Sequence, residues 1–133
     1  MDAQGNIYGT TSYCGSSGYG FGDGVVYRID KRGTERVLYS FLGGTDGESP
    51  NAGVVLDAEG NLYGTTVYGG STGWGTVFEL DASGTETVLH SFTQQTDGGD
   101  PYGGVLRDAS GTLYGTAFYG GTSFNGTVWA LVP

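Results

Sequence analysis

One cysteine, one histidine, three prolines and five basic side chains are all that a chain of 133 residues carries of these types. A lone Cys14 closes off any intramolecular disulfide and any cysteine-built metal cage. Its setting, Tyr13-Cys14-Gly15-Ser16, holds no basic neighbour to activate a thiolate, so the thiol reads as inert. Five Lys and Arg against 14 Asp and Glu give a formal charge of −9. That is the wrong sign for gripping phosphates, and nucleic acid is excluded as a partner. No apolar run approaches the ~18 residues of a membrane-spanning helix. Met1-Asp2-Ala3-Gln4-Gly5 has neither a basic stretch nor an apolar one, so no signal peptide is read in this chain.

What the chain has instead is glycine, 28 residues of it, with 10 Tyr and 6 Phe. The glycines follow no three-residue period, which excludes collagen, and the aromatics exclude a disordered linker. They punctuate a repeat. Gly5-Asn6-Ile7-Tyr8-Gly9-Thr10-Thr11 returns as Gly60-Asn61-Leu62-Tyr63-Gly64-Thr65-Thr66 and as Gly111-Thr112-Leu113-Tyr114-Gly115-Thr116-Ala117. Gly75-Thr76-Val77-Phe78-Glu79-Leu80 matches Gly24-Val25-Val26-Tyr27-Arg28-Ile29 and Gly126-Thr127-Val128-Trp129-Ala130-Leu131. Thr85-Glu86-Thr87-Val88-Leu89-His90-Ser91-Phe92 matches Thr34-Glu35-Arg36-Val37-Leu38-Tyr39-Ser40-Phe41, and Pro101 follows Pro50. Val26, Val77 and Val128 recur every 51 residues; the one longer offset, 55 from Gly5 to Gly60, places four extra residues in the glycine-rich stretch 14–23.

Each unit holds four short Val-, Leu-, Tyr-, Phe- and Thr-rich segments, A (53–57), B (61–68), C (76–81) and D (85–92), separated by Gly, Asp and Ser. No sustained 3.6-residue apolar period is present, so the chain is expected to be all-β. In segment B, Leu62, Gly64 and Thr66 share one face and Tyr63, Thr65 and Val67 the other; in D, Val88, His90 and Phe92 oppose Leu89. Neither face is cleanly polar. A sheet packed between two like sheets needs that pattern, and a sandwich does not. The expected architecture is a β-propeller fragment of about 2.6 four-stranded antiparallel blades with a repeat of 51 residues. It divides into blade remnants at 1–41, a full blade at 51–92 and a partial blade at 102–133, running BCD, ABCD, ABC. So few blades close no ring, which favours a fragment of a longer protein over an oligomerising unit. It also leaves moderately apolar blade faces free for self-association or missing blades.

The four motifs in this order resemble the bacterial tandem repeat called GloVer, over essentially the whole chain, and the order of Gly-Val-Val-Leu-Asp before Gly-Asn-Leu-Tyr is similar to NHL-type blades. The resemblance implies an extracellular or cell-surface repeat protein of propeller form, with no chemistry and no functional residues attached. The long first loop and the early end of the third copy depart from the pattern.

Several residues are candidates for function. Asp46 and Glu48, with Asp97 and Asp100 one repeat later, offer loop oxygens for Ca²⁺; their spacing does not match an EF-hand, and Asx turns account for them, so no metal is assigned. Trp74, Tyr102, Tyr19 and Phe124, with Tyr13, Phe21, Tyr68 and Tyr119, lie near the glycine-rich connections, where an aromatic face with a polar tip suits a glycan or a protein. His90 stands where the preceding unit has Tyr39, which reads as a shared structural slot. Arg107 is the one candidate on the channel strand. No Gly-Lys-Ser/Thr loop and no nucleophile elbow occurs, so no cofactor is assigned. Two readings follow. The first is a non-catalytic module with a binding or structural role; the alternative is part of a propeller-fold polysaccharide lyase or hydrolase whose active site lies in missing blades.

Overall fold

A computed structural model describes residues 1–15 and 23–133. It is all-β: ten strands in three antiparallel sheets, with no helix among the described residues. The first sheet holds β1 (Ile7–Thr11), β2 (Val25–Ile29) and β3 (Glu35–Ser40). The second holds β4 (Val55–Leu56), β5 (Leu62–Thr66), β6 (Thr76–Leu80) and β7 (Glu86–Ser91), and the third holds β8 (Leu106–Arg107), β9 (Leu113–Ala117) and β10 (Thr127–Leu131). Strands neighbour in chain order within each sheet, as expected of successive propeller-like blades. Segment A is shorter than its sequence pattern: only Val55 and Leu56 pair, with Tyr63 and Leu62.

The sheets stack face to face through two apolar clusters. Val26 and Phe41 of the first unit meet Leu62, Phe78 and Leu80 of the second. Tyr63, Val77 and Phe92 of the second meet Val105, Leu113 and Ala117 of the third, with Trp129 and Leu131 at the margin. The second cluster is the first moved along by one repeat. Both faces of the central sheet are therefore dry: every residue of β5 is buried, whereas β1 and β9 each carry exposed positions. Alternation along β5 sends Leu62 toward the first sheet and Tyr63 toward the third, as its sequence pattern requires.

Alternation fails at one place. Val77 pairs with His90 and Phe78 with Val88, so Leu89 is an extra residue, and Leu38 is its counterpart between Val37 and Tyr39. The bulge brings Leu89 against the same cluster as Phe92, so the expectation that the two lie on opposite faces is corrected.

Two glycine positions explain much of the composition. Gly64 lies directly across from Phe78, and a Cβ there would stand 2.7 Å from the ring; Gly9 accommodates Tyr27 and Gly115 accommodates Trp129 in the same way. An aromatic lying over a cross-strand glycine hides the backbone that the missing side chain would expose. Gly75, at φ +92°, opens β6 where a Cβ would meet the Thr66 carbonyl at 2.4 Å.

Candidate functional site

The acidic side chains belong to the turns before they belong to any site. Asp57 accepts the backbone N–H of Glu59 (3.0 Å) and Asn61 (2.8 Å), the Asn61 amide (3.0 Å) and the Tyr63 hydroxyl (3.0 Å). Asp2 does the same with Gln4, Asn6 and Tyr8. Asp108 does so with Ser110, Thr112 and Tyr114. Burial opposes the charge on Asp57, yet the bonds from Asn61, Tyr63 and Gly60 outweigh it and hold the carboxyl below the usual range. At Asp2 the same balance leaves a pKa of about 2. Asp30 and Asp81 cap the next turn through the backbone N–H groups of Arg32 and Thr34 and of Ser83 and Thr85.

Two of the four Ca²⁺ candidates, Asp46 and Asp97, are held in the same manner. Asp46 accepts the Leu42 N–H (2.9 Å) and the Tyr39 hydroxyl (3.1 Å). Asp97 accepts the Thr93 N–H (3.0 Å) and hydroxyl and faces His90 Nε2 at 3.1 Å. Tyr39 and His90 thus fill one slot, each bound to the aspartate seven residues on. Glu48 joins Tyr68 through its backbone. Asp100 is buried with Oδ1 unpartnered, and burial pushes its carboxyl up. Among the described residues no group of three or more His, Cys, Asp or Glu is arranged around a common point. Arg107 lies with its guanidinium 5.7 Å from the centre of the Tyr63 ring, and Cys14 is exposed at φ +80°.

The aromatic candidates divide. Tyr19 and Phe21 lie outside the described residues. Trp74 is half-buried against the cluster between the second and third sheets. Tyr102 and Phe124 are exposed and line a groove of about 470 Å³ with Thr116, Phe118 and Tyr119. Tyr102 stands edge-on to Phe118 (centroids 5.8 Å apart) and reaches the Tyr68 hydroxyl at 3.5 Å. That contact and its partial burial push the Tyr102 phenol up to about 12.

The sequence reading did not pick out one regularity. Tyr13, Tyr68 and Tyr119 occupy the same place at the end of segment B in all three units, and they are 66, 42 and 41 % exposed. Tyr68 keeps its exposure with a further unit packed beside it, so its openness is a property of the position. Phe118, by contrast, is exposed, whereas its counterpart Val67 is fully buried. The signal was present in the repeat itself, since an aromatic retained in three copies without a core partner needs another reason.

Three antiparallel sheets joined by one recurring interface make a tandem array, and the sequence description of the Gloeobacter/Verrucomicrobia repeat matches residues 1–133. The chain belongs to that repeat family. Searches among curated proteins and among solved structures return no match. Among the described residues no helix is long and apolar enough to cross a membrane.

Proposed function

We propose that this repeat array is a non-catalytic binding module, displayed outside the cell and built as part of a propeller, that presents a row of exposed aromatic side chains to a glycan. The observation that carries the reading is the recurrence of Tyr13, Tyr68 and Tyr119 at one exposed position per unit. Tyrosine offers an apolar face for a sugar ring and a hydroxyl for its polar edge, at a low cost in side-chain entropy. Tyr102 and Phe124 extend the row beside the third unit. A repeating ligand suits a repeating surface, because each added contact acts at the effective concentration set by the last. The extracellular setting rests on the resemblance to surface repeat proteins.

A glycan array followed by titration of the best ligands tests the reading. Binding that is lost in the Tyr68→Ala, Tyr119→Ala double variant, with the melting temperature unchanged, is the expected result. Binding to no glycan, or turnover of a polysaccharide that survives purification, would overturn it.

A further inference from the structure

Four of the five basic side chains of this acidic chain, Arg28, Lys31, Arg32 and Arg36, fall in one hairpin, β2 to β3. Two of them share the face that meets the second sheet. Arg28 follows Val26 by two along β2, and Val26 packs against Leu62 and Phe78. Arg36 of β3 stands directly across from Arg28. Like charges placed opposite one another on a sheet repel. The repeat does not require them, since one unit on the same two places hold Glu79 and Thr87.

The two arginines line a cavity of about 270 Å³ in the seam between the first and second units. Tyr8 and Leu38 complete their wall, and the turn from Asp81 to Gly84 forms the facing one. The carboxylates nearby are committed to their own turns. Asp81 accepts the N–H groups of Ser83 and Thr85, Asp30 those of Arg32 and Thr34, and Asp2 that of Asn6 with the Tyr8 hydroxyl. Backbone bonds from Thr34 and Arg32 hold the Asp30 carboxyl low, and Arg28 adds to this through space. Among the described residues the one ion pair is His90 with Asp97, so neither guanidinium is salt-bridged. Arg28 Nε is buried and has no hydrogen-bond partner. A buried charged donor without an acceptor is costly, and such an atom calls for a physical reason.

We propose that the cavity between Arg28 and Arg36 is a binding site for a single carboxylate group, carried by an acidic sugar or by a free organic acid. A carboxylate is planar and presents two oxygens, which suits the fork of a guanidinium. Between the two arginines it offsets their repulsion and gives Arg28 Nε an acceptor. Leu62 and Leu80 offer an apolar wall to the carbon skeleton. A net charge of −9 repels a polyanion while leaving this local positive site open to one small acid. Where the acid is part of a glycan, the site rests on the binding role proposed above; the arginine cavity itself does not.

The intact 133-residue chain, labelled with nitrogen-15, is titrated at constant ionic strength with sodium glucuronate, sodium lactate, sodium sulfate and glucose, and the arginine Nε–Hε signals are followed. A carboxylate is expected to shift the Arg28 signal saturably, with a Kd on the order of millimolar. Tighter binding of glucuronate assigns the site to an acidic sugar, and lactate binding at least as tightly assigns it to a free acid. Arg28→Gln and Arg36→Gln are each expected to weaken binding by about tenfold. Arg28→Lys is expected to weaken it as well, because a point charge lacks the fork. Lys31→Gln is expected to leave it unchanged. No saturable shift with either carboxylate, sulfate or glucose binding as tightly as the carboxylates, or an equal loss in Lys31→Gln overturns the proposal. Should Arg28→Gln fail to fold, Arg36→Gln carries the test, its side chain being exposed. The Tyr68→Ala, Tyr119→Ala double variant is expected to keep carboxylate binding intact, so this site and the tyrosine row fail separately.

Discussion

Phe41 meets Phe78 edge to face, ring centroids 5.2 Å apart, and this contact joins the first sheet to the second. One repeat on, Phe92 and Trp129 stand 5.8 Å apart at the corresponding place. Both Phe rings are fully buried. Phe41→Ala removes the ring and leaves a cavity in the apolar cluster between the two sheets, at an expected cost of about 3–5 kcal/mol. Urea unfolding should show that loss for Phe41→Ala and a change within about 0.5 kcal/mol for the exposed Phe124→Ala.

Gly75→Ala tests the entry to β6. A Cβ there meets backbone oxygens of Thr66 and Val67 at 2.4 and 2.6 Å, on a residue with φ +92°. The backbone must shift, and a loss of more than about 2 kcal/mol is expected. Gly33→Ala, at φ +84° with open space around it, separates strain from clash and should cost about 1 kcal/mol.

The turn aspartates predict the acid limb of stability. Asp57, Asp81 and Asp108 are held below the ordinary value of 3.8 in the folded chain. On acidification the unfolded chain takes up their protons first, so the stabilisation is complete above that value and is lost as pH falls through the folded values. Asp57→Ala should cost about 1 kcal/mol at neutral pH, a figure already reduced for the solvent around the turn. It should also flatten the loss below pH 4, as measured by thermal melts across pH.

Glu86 predicts the opposite slope. Burial, and then the nearby Asp46, push its carboxyl up to about 7 from an ordinary 4.5. The unfolded chain loses this proton first as pH rises, so stability falls between those two values and then levels. Glu86→Gln should abolish that slope and stabilise the chain above pH 7 by about 1 kcal/mol, solvent screening having been allowed for. A melt that falls with pH as steeply in the variant as in the parent would contradict this.

The repeat made most of the architecture legible before any coordinates. A 51-residue offset with four β-like segments fixes the sheets and their strand order, and the two apolar faces of segment B foretell that the middle sheet is covered on both sides. The local departures were hidden for local reasons. Leu89 reads as alternating because a bulge leaves no composition of its own. Segment A is longer in pattern than in pairing, since Val54 packs without joining the ladder. Glu86 looks like Glu35, and only the neighbouring unit's Asp46 and Tyr39 distinguish it. The tyrosine row needed exposure values, because recurrence by itself also describes Tyr8, Tyr63 and Tyr114, which serve the turns.

One joint, used twice in the same way, gives the array a property that no single sheet has. Recombination that gains or drops 51 residues in phase would leave each remaining seam chemically unaltered. Overall length is then free to drift across generations while every rung of the ladder stays under the same selection.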